Sequence, residues 1–195
     1  MQKWLNLSVE ASEAAPEENQ TETSKVVCLA DVEPEQVSFL WHPYIPQGKL
    51  TIIEGDPGVG KSWLTYALAT ATAAGSGPAG WANSDAGNIL MLSVEDGLAD
   101  TIRPRLDLMR ANVKRIFALL GALVFDDAGL LQLEVAIIDY KPALVVIDPL
   151  VAYLGAKVDM HRANETRAVM ARLAGIAERY GCAIVAVRHL TKPEY

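Results

Sequence analysis

Apolar and polar positions along the chain follow two alternating patterns. Short unbroken apolar runs stand at residues 50–54 (LTIIE), 89–94 (ILMLSV), 143–147 (ALVVI) and 183–187 (AIVAV). Their length and branched side chains suit strands buried on both faces. Between them lie segments with helical spacing. Residues 61–74 place Leu64, Leu68 and Ala71 on one face and stop at Gly75. Pro104 suits the first turn of a helix reaching about residue 112, where the N–H it lacks would have no partner. Residues 132–140 read as a third helix. Asn164 is placed to cap a fourth, running to Tyr180 with Val169, Leu173, Ile176 and Tyr180 as its buried stripe and Gly181 as its stop. Residues 116–120 predict a minor strand. Strands without alternation, separated by amphipathic helices, predict an α/β fold: a parallel sheet covered by helices on both faces.

The first 25 residues depart from this pattern. They are polar, rich in Glu, Ser and Thr, and predict a disordered acidic tail ahead of one α/β domain over 26–195. Residues 26–50, with Trp41, Tyr44 and several prolines, predict an irregular collar before the first strand. The length of 195 residues suits one domain with a substantial core, and 51% apolar with 21% charged residues is ordinary for a soluble protein. The net charge is −7, but Lys3 against Glu10, Glu13, Glu17, Glu18 and Glu22 places −4 of it in residues 1–24. The rest of the chain is nearly balanced, so charge neither favours nor excludes a polyanionic partner. Two unspaced cysteines, Cys28 and Cys182, give neither a disulfide framework nor a metal site. The acidic N-terminus has no apolar signal core, and the longest apolar run, residues 116–125, is about half a membrane span. A soluble, cytoplasmic protein with no membrane partner is expected.

The candidate chemistry centres on GDPGVGKS at 55–62. Gly55, Gly60, Lys61 and Ser62 satisfy the pattern G-x-x-x-x-G-K-[ST], with a strand before and a helix after. Small residues let the backbone turn back so that successive N–H groups face an anion at a helix N-terminus. The expected nucleotide-binding residues are therefore Gly55, Asp56, Pro57, Gly58, Val59, Gly60, Lys61, Ser62 and Trp63. Lys61 is expected on the β- and γ-phosphates and Ser62 on magnesium. A plain Gly-rich turn capping a helix is the competing reading, and the strand–loop–helix context weighs against it. Asp148 closes the run ALVVI and is the candidate for the second magnesium-side group, against the alternative of a strand-ending Asp-Pro turn.

Two further strand ends carry candidates. Glu95 follows the run ILMLSV, where a carboxylate can take a proton from water aimed at the γ-phosphate. Asp96 can exchange roles with it, and a solvated loop carboxylate is the bland alternative. No N-K-x-D guanine motif is present. Arg188 and His189 end the last strand. If that strand lies between those of the phosphate loop and Asp148, its tip faces the γ-phosphate, with His189 preferred and Arg188 second. His42 and His161 read as loop residues, Trp81 as a loop anchor and Asp126-Asp127 as a solvated turn. Arg103, Arg105, Arg110, Lys114 and Arg115 form a basic strip, a solvated helix face or a phosphate-facing one.

The order and spacing of WHPYIPQGKLTIIEGDPGVGKS, ILMLSVEDG with TIRPRL after it, ALVVIDPL and GCAIVAVRHLTK resemble RecA-like ATPases. More narrowly, the chain from about residue 29 is similar to the AAA-domain family that includes RepA-type hexameric replicative helicases. The resemblance implies ATP and Mg2+ as cofactors and a RecA-like sheet. It implies Lys61 and Ser62 as the phosphate-loop pair, Glu95 as general base, Asp148 as the magnesium-side aspartate and His189 as a catalytic residue on the sensor strand. It further implies a homo-oligomeric, hexameric ring with ATP between subunits and single-stranded DNA in its channel. Residues 155–166 would then lie at a DNA-facing loop, with Lys157 and Arg162 as candidates. Relatives continue beyond the histidine strand with further strands and an arginine that reaches the neighbouring site, so a C-terminally incomplete domain is expected. A non-motor nucleotide-dependent module, KaiC-like or recombinase-like, is the alternative on the same fold.

Overall fold

The computed structural model of the chain describes residues 26–82, 85–121, 123–155 and 163–189, with side chains from Thr166 onward in the last segment. The acidic tail, Lys157, His161, Arg162 and the last six residues lie outside the described residues. The chain divides into two compact units, Met1–Glu35 and Gln36–Tyr195. The described part of the first holds a short 3-10 turn, Leu29–Asp31.

The second unit opens with a small antiparallel pair, β1 (Phe39–Trp41) and β2 (Ile45–Pro46), where the sequence suggested only an irregular collar. Five parallel strands follow: β3 (Leu50–Gly55), β4 (Asn88–Ser93), β5 (Ile116–Ala118), β6 (Pro142–Asp148) and β7 (Ala183–His189). Their spatial order is β3-β7-β6-β4-β5. The helices are α1 (Lys61–Ala74), α2 (Arg103–Leu108), α3 (Asp127–Tyr140) and α4 (Ala163–Tyr180). This is the RecA-like P-loop architecture, and among the described residues no helix is long and apolar enough to cross a membrane.

The core lies on both faces of the sheet, as continuous apolar strands require. One layer joins Leu144 and Val146 of β6 and Ala183 and Val185 of β7 to Tyr66, Leu68 and Ala69 of α1. The other joins Val145, Ile147, Ile184 and Ala186 to Leu130, Leu133 and Ile137 of α3 and to Val169, Leu173 and Ile176 of α4. Alternation along each strand thus assigns every residue to one layer or the other.

The elements differ from the sequence reading at their ends. Helix α3 starts five residues before the expected position, because Asp126 caps it by accepting from the Gly129 N–H at 2.9 Å. Asp127 pairs with Arg172 at 2.7 Å, so the two aspartates are more than a solvated turn. The helix opened by Pro104 ends at Leu108, short of residue 112, and is preceded by a π turn over Leu98–Ile102. Helix α4 starts at Ala163, which puts Asn164 inside it rather than at its cap. Trp81 does act as an anchor: it is buried and bridges Trp41 of β1.

Candidate nucleotide site at the carboxyl edge of the sheet

Strand β3 delivers the phosphate loop to the carboxyl edge of the sheet, and α1 leaves it directly. Gly58 and Gly60 have φ of 79° and 92°. A Cβ added at either meets nothing within 4 Å, so glycine is required there by backbone conformation and not by crowding. The Lys61 ammonium is folded back into the loop and donates to the carbonyls of Gly55 at 2.8 Å and Asp56 at 2.7 Å. Lys61 is buried, with 6% of its surface exposed, so these bonds replace water that it cannot reach.

Strand register brings the other candidates to the same edge. Strand β7 lies between β3 and β6, which meets the condition on which His189 was a candidate. Gly55 is paired in register with His189, and Ser93 with Asp148. Ile147 pairs with Ala186, so Asp148 lies level with Val187, two residues before His189; the four positions gather at one edge of the sheet without forming a single row. Alternation also separates His189 from Arg188. His189 shares the α1 face with Asp148, whereas Arg188 falls on the opposite face, where it is ion-paired with Glu54. The Nδ1 atom of His189 is buried and has no hydrogen-bond partner among the described residues.

Asp148 is the buried carboxylate of this edge. Burial raises its pKa, opposed by the nearby Ser62 hydroxyl and by neighbouring His189, while the charge of Asp96 raises it further. Thr65 Oγ1 lies 3.5 Å from Asp148 Oδ2, but its single proton goes to the Ser62 carbonyl at 2.8 Å, so that contact is weak. Ser62 and Asp148 thus place a hydroxyl and a carboxylate together at the mouth of the phosphate loop. Magnesium fits this donor set: it takes oxygen ligands, usually one or two from protein with the rest from phosphates and water. Among the described residues no cluster of three His, Cys, Asp or Glu side chains would hold a metal unaided.

Glu95 makes no polar contact with these groups among the described residues. It lies two residues beyond the end of β4, exposed, with no hydrogen bond or ion pair among the described residues. Asp96 is held instead: its Oδ2 accepts from Tyr66 Oη at 2.6 Å and from Arg105 at 3.1 Å. The Arg105 guanidinium also lies 5.3 Å from the Trp63 ring centroid and 5.7 Å from that of Tyr66. Sequence reasoning missed Tyr66 and Thr65, although a signal existed, since they follow Ser62 by one helical turn and so share its face. The basic strip is largely engaged within the chain, Arg103 with Asp107 at 2.9 Å and Arg115 with Asn88 at 3.3 Å.

No curated protein matches the chain. The family profile of the AAA domain matches residues 15–194. With its phosphate loop, the hydroxyl–carboxylate pair beside it and a match over nearly its whole length, the chain belongs to the AAA-domain family of P-loop ATPases.

Proposed function

We propose that the chain is the ATP-hydrolysing domain of a RepA-like replicative helicase. The observation that carries the catalytic part is the convergence of Ser62, Asp148 and His189 at the carboxyl edge of the sheet beside the phosphate loop. In this reading residues 55–63 hold the triphosphate, with the Lys61 ammonium on its β- and γ-oxygens. Ser62 and Asp148 would hold magnesium, which would supply charge stabilisation to the phosphate oxygens. Glu95 accepts a proton from the attacking water, and its exposure leaves it free to do so once substrate fills the edge. The orphaned Nδ1 of His189 gains a partner on the γ-phosphate side and reports whether that phosphate is present. The helicase assignment, with a homo-oligomeric ring and single-stranded DNA, rests on the motif resemblance.

A non-motor nucleotide switch is favoured by one observation. Arg103, Arg105 and Arg115 are already engaged within the chain, which leaves less of the strip for a phosphate backbone. Steady-state ATP hydrolysis across protein concentration, with and without single-stranded DNA, separates the two. A motor gives a rate per subunit that climbs with both, and a switch gives a slow rate indifferent to both. Glu95→Gln is expected to bind ATP and fail to turn it over, whereas Lys61→Ala loses binding. Unchanged turnover in Glu95→Gln removes the base assignment.

A further inference from the structure

We propose that Tyr66 and Arg105 are positioning residues for the loop that carries Glu95, acting by clamping its neighbour Asp96 onto the phosphate-loop helix. The inference rests on the reading of Glu95 as the water-activating base.

The chain leaves β4 at Ser93 and is next held by its backbone at Gly97, whose carbonyl accepts from Thr101 at 3.1 Å and Ile102 at 2.9 Å. Among the described backbone hydrogen bonds outside helices and strands, none involves residues 94–96. The position of Glu95 is therefore set through the side chain of Asp96, and both donors to that side chain come from helices. Tyr66 is 2% exposed, so its hydroxyl has no access to water that would replace the bond. Arg105 is fixed from three sides: its ion pair with Asp96 and the faces of Trp63 and Tyr66. Tyr66 lies one turn along the same helix that presents Lys61 and Ser62. The clamp thus gives the loop carrying Glu95 and the phosphate-holding groups one rigid reference, the condition under which a general base is effective. It also removes the exchange of roles between the two acids, because Asp96 is engaged and Glu95 is free.

Tyr66→Phe removes the hydroxyl and keeps the ring on which Arg105 stacks. Its kcat is expected to fall about tenfold or more, with Kd for a non-hydrolysable ATP analogue within about twofold of wild type. Asp96→Ala should match it, and Asp96→Asn, which retains an oxygen to accept from Tyr66, should recover part of kcat. A residue that only supports the fold would lower Tm and weaken analogue binding in step with kcat. If Tyr66→Phe and Asp96→Ala keep wild-type kcat while Glu95→Gln has lost it, the clamp is overturned and the base assignment stands. If Glu95→Gln keeps its turnover, the base assignment falls, and the clamp with it.

Discussion

Asp148 shows how one residue serves a site at the expense of the fold that carries it. Its carboxylate is buried, and burial is the largest influence on it, so the folded chain holds this proton at pH values where the unfolded chain has released it. A group of this kind favours the folded state at acid pH, and that advantage is lost as pH rises through its raised pKa. Asp148→Asn is therefore expected to be more stable than wild type at neutral pH without metal, with the difference closing as pH falls toward about 4. Thermal unfolding across that range reads the sign directly. Addition of Mg2+ with nucleotide should raise the midpoint of wild type by more than that of the variant. A variant less stable at neutral pH would mean that the favourable influence of Ser62 and His189 on the carboxylate outweighs burial. At this scale the residue types were legible: Lys61, Ser62 and Asp148 stand out from spacing alone. Tyr66, Arg105 and Asp96 were not legible as a unit, because a hydrogen bond between residues 30 apart in sequence leaves no mark on local pattern.

Among the elements, α1 and β6 could be read almost to the residue, since a glycine stop and an apolar run ending in aspartate are sharp signals. Helix α3 could not. Its cap and first turn, DDAGL, contain a glycine and an acidic pair that argue locally for a turn, and the burial of Leu130 and Leu133 overrides that preference. The cap at Asp126 fixes where the helix begins. Asp126→Ala is expected to cost about 1 kcal/mol, which in a domain of this size lowers Tm by about 2–4 °C. Calorimetry measures this, and an unchanged midpoint would show that packing alone sets the helix start. The strip at 101–115 was ambiguous for a related reason: charge counts do not reveal that Arg105 has an acidic partner outside its own helix.

For the whole molecule, the parallel sheet followed from the apolar strands, but the strand order did not. Runs such as ALVVI and AIVAV are interchangeable by composition, and only the assembled sheet puts β7 between β3 and β6. That placement converts His189 from a residue at the end of a strand into a neighbour of Gly55. Helices α3 and α4 are also joined by exposed ion pairs, Arg172–Asp127 and Arg179–Glu134, both at 2.7 Å. Such pairs contribute well under about 1 kcal/mol each, so the apolar layers carry most of the stability. The depth of those layers is testable through the two thiols. Cys28 is exposed, whereas Cys182 is 1% exposed and burial pushes its thiol up to about 11. At pH 8 only about one in a thousand of the Cys182 thiols would be ionised, so a thiol reagent should modify Cys28 alone until the chain unfolds. Titration of both cysteines at equal rates would mean that the layer opens readily. Because the unfolded thiol ionises near about 8.5, stability should fall as pH rises from there toward about 11.

The folded-back Lys61 has a consequence for the rhythm of capture and release. Since its ammonium already rests on the Gly55 and Asp56 carbonyls, a phosphate arriving as in the function proposed above would not meet a bare cation but would take over partners from the backbone. Capture is then an exchange, and the depth of the bound state is the difference between two sets of contacts. Departure runs the same exchange in reverse: as the anion leaves, the ammonium settles on two waiting carbonyls instead of remaining unsolvated.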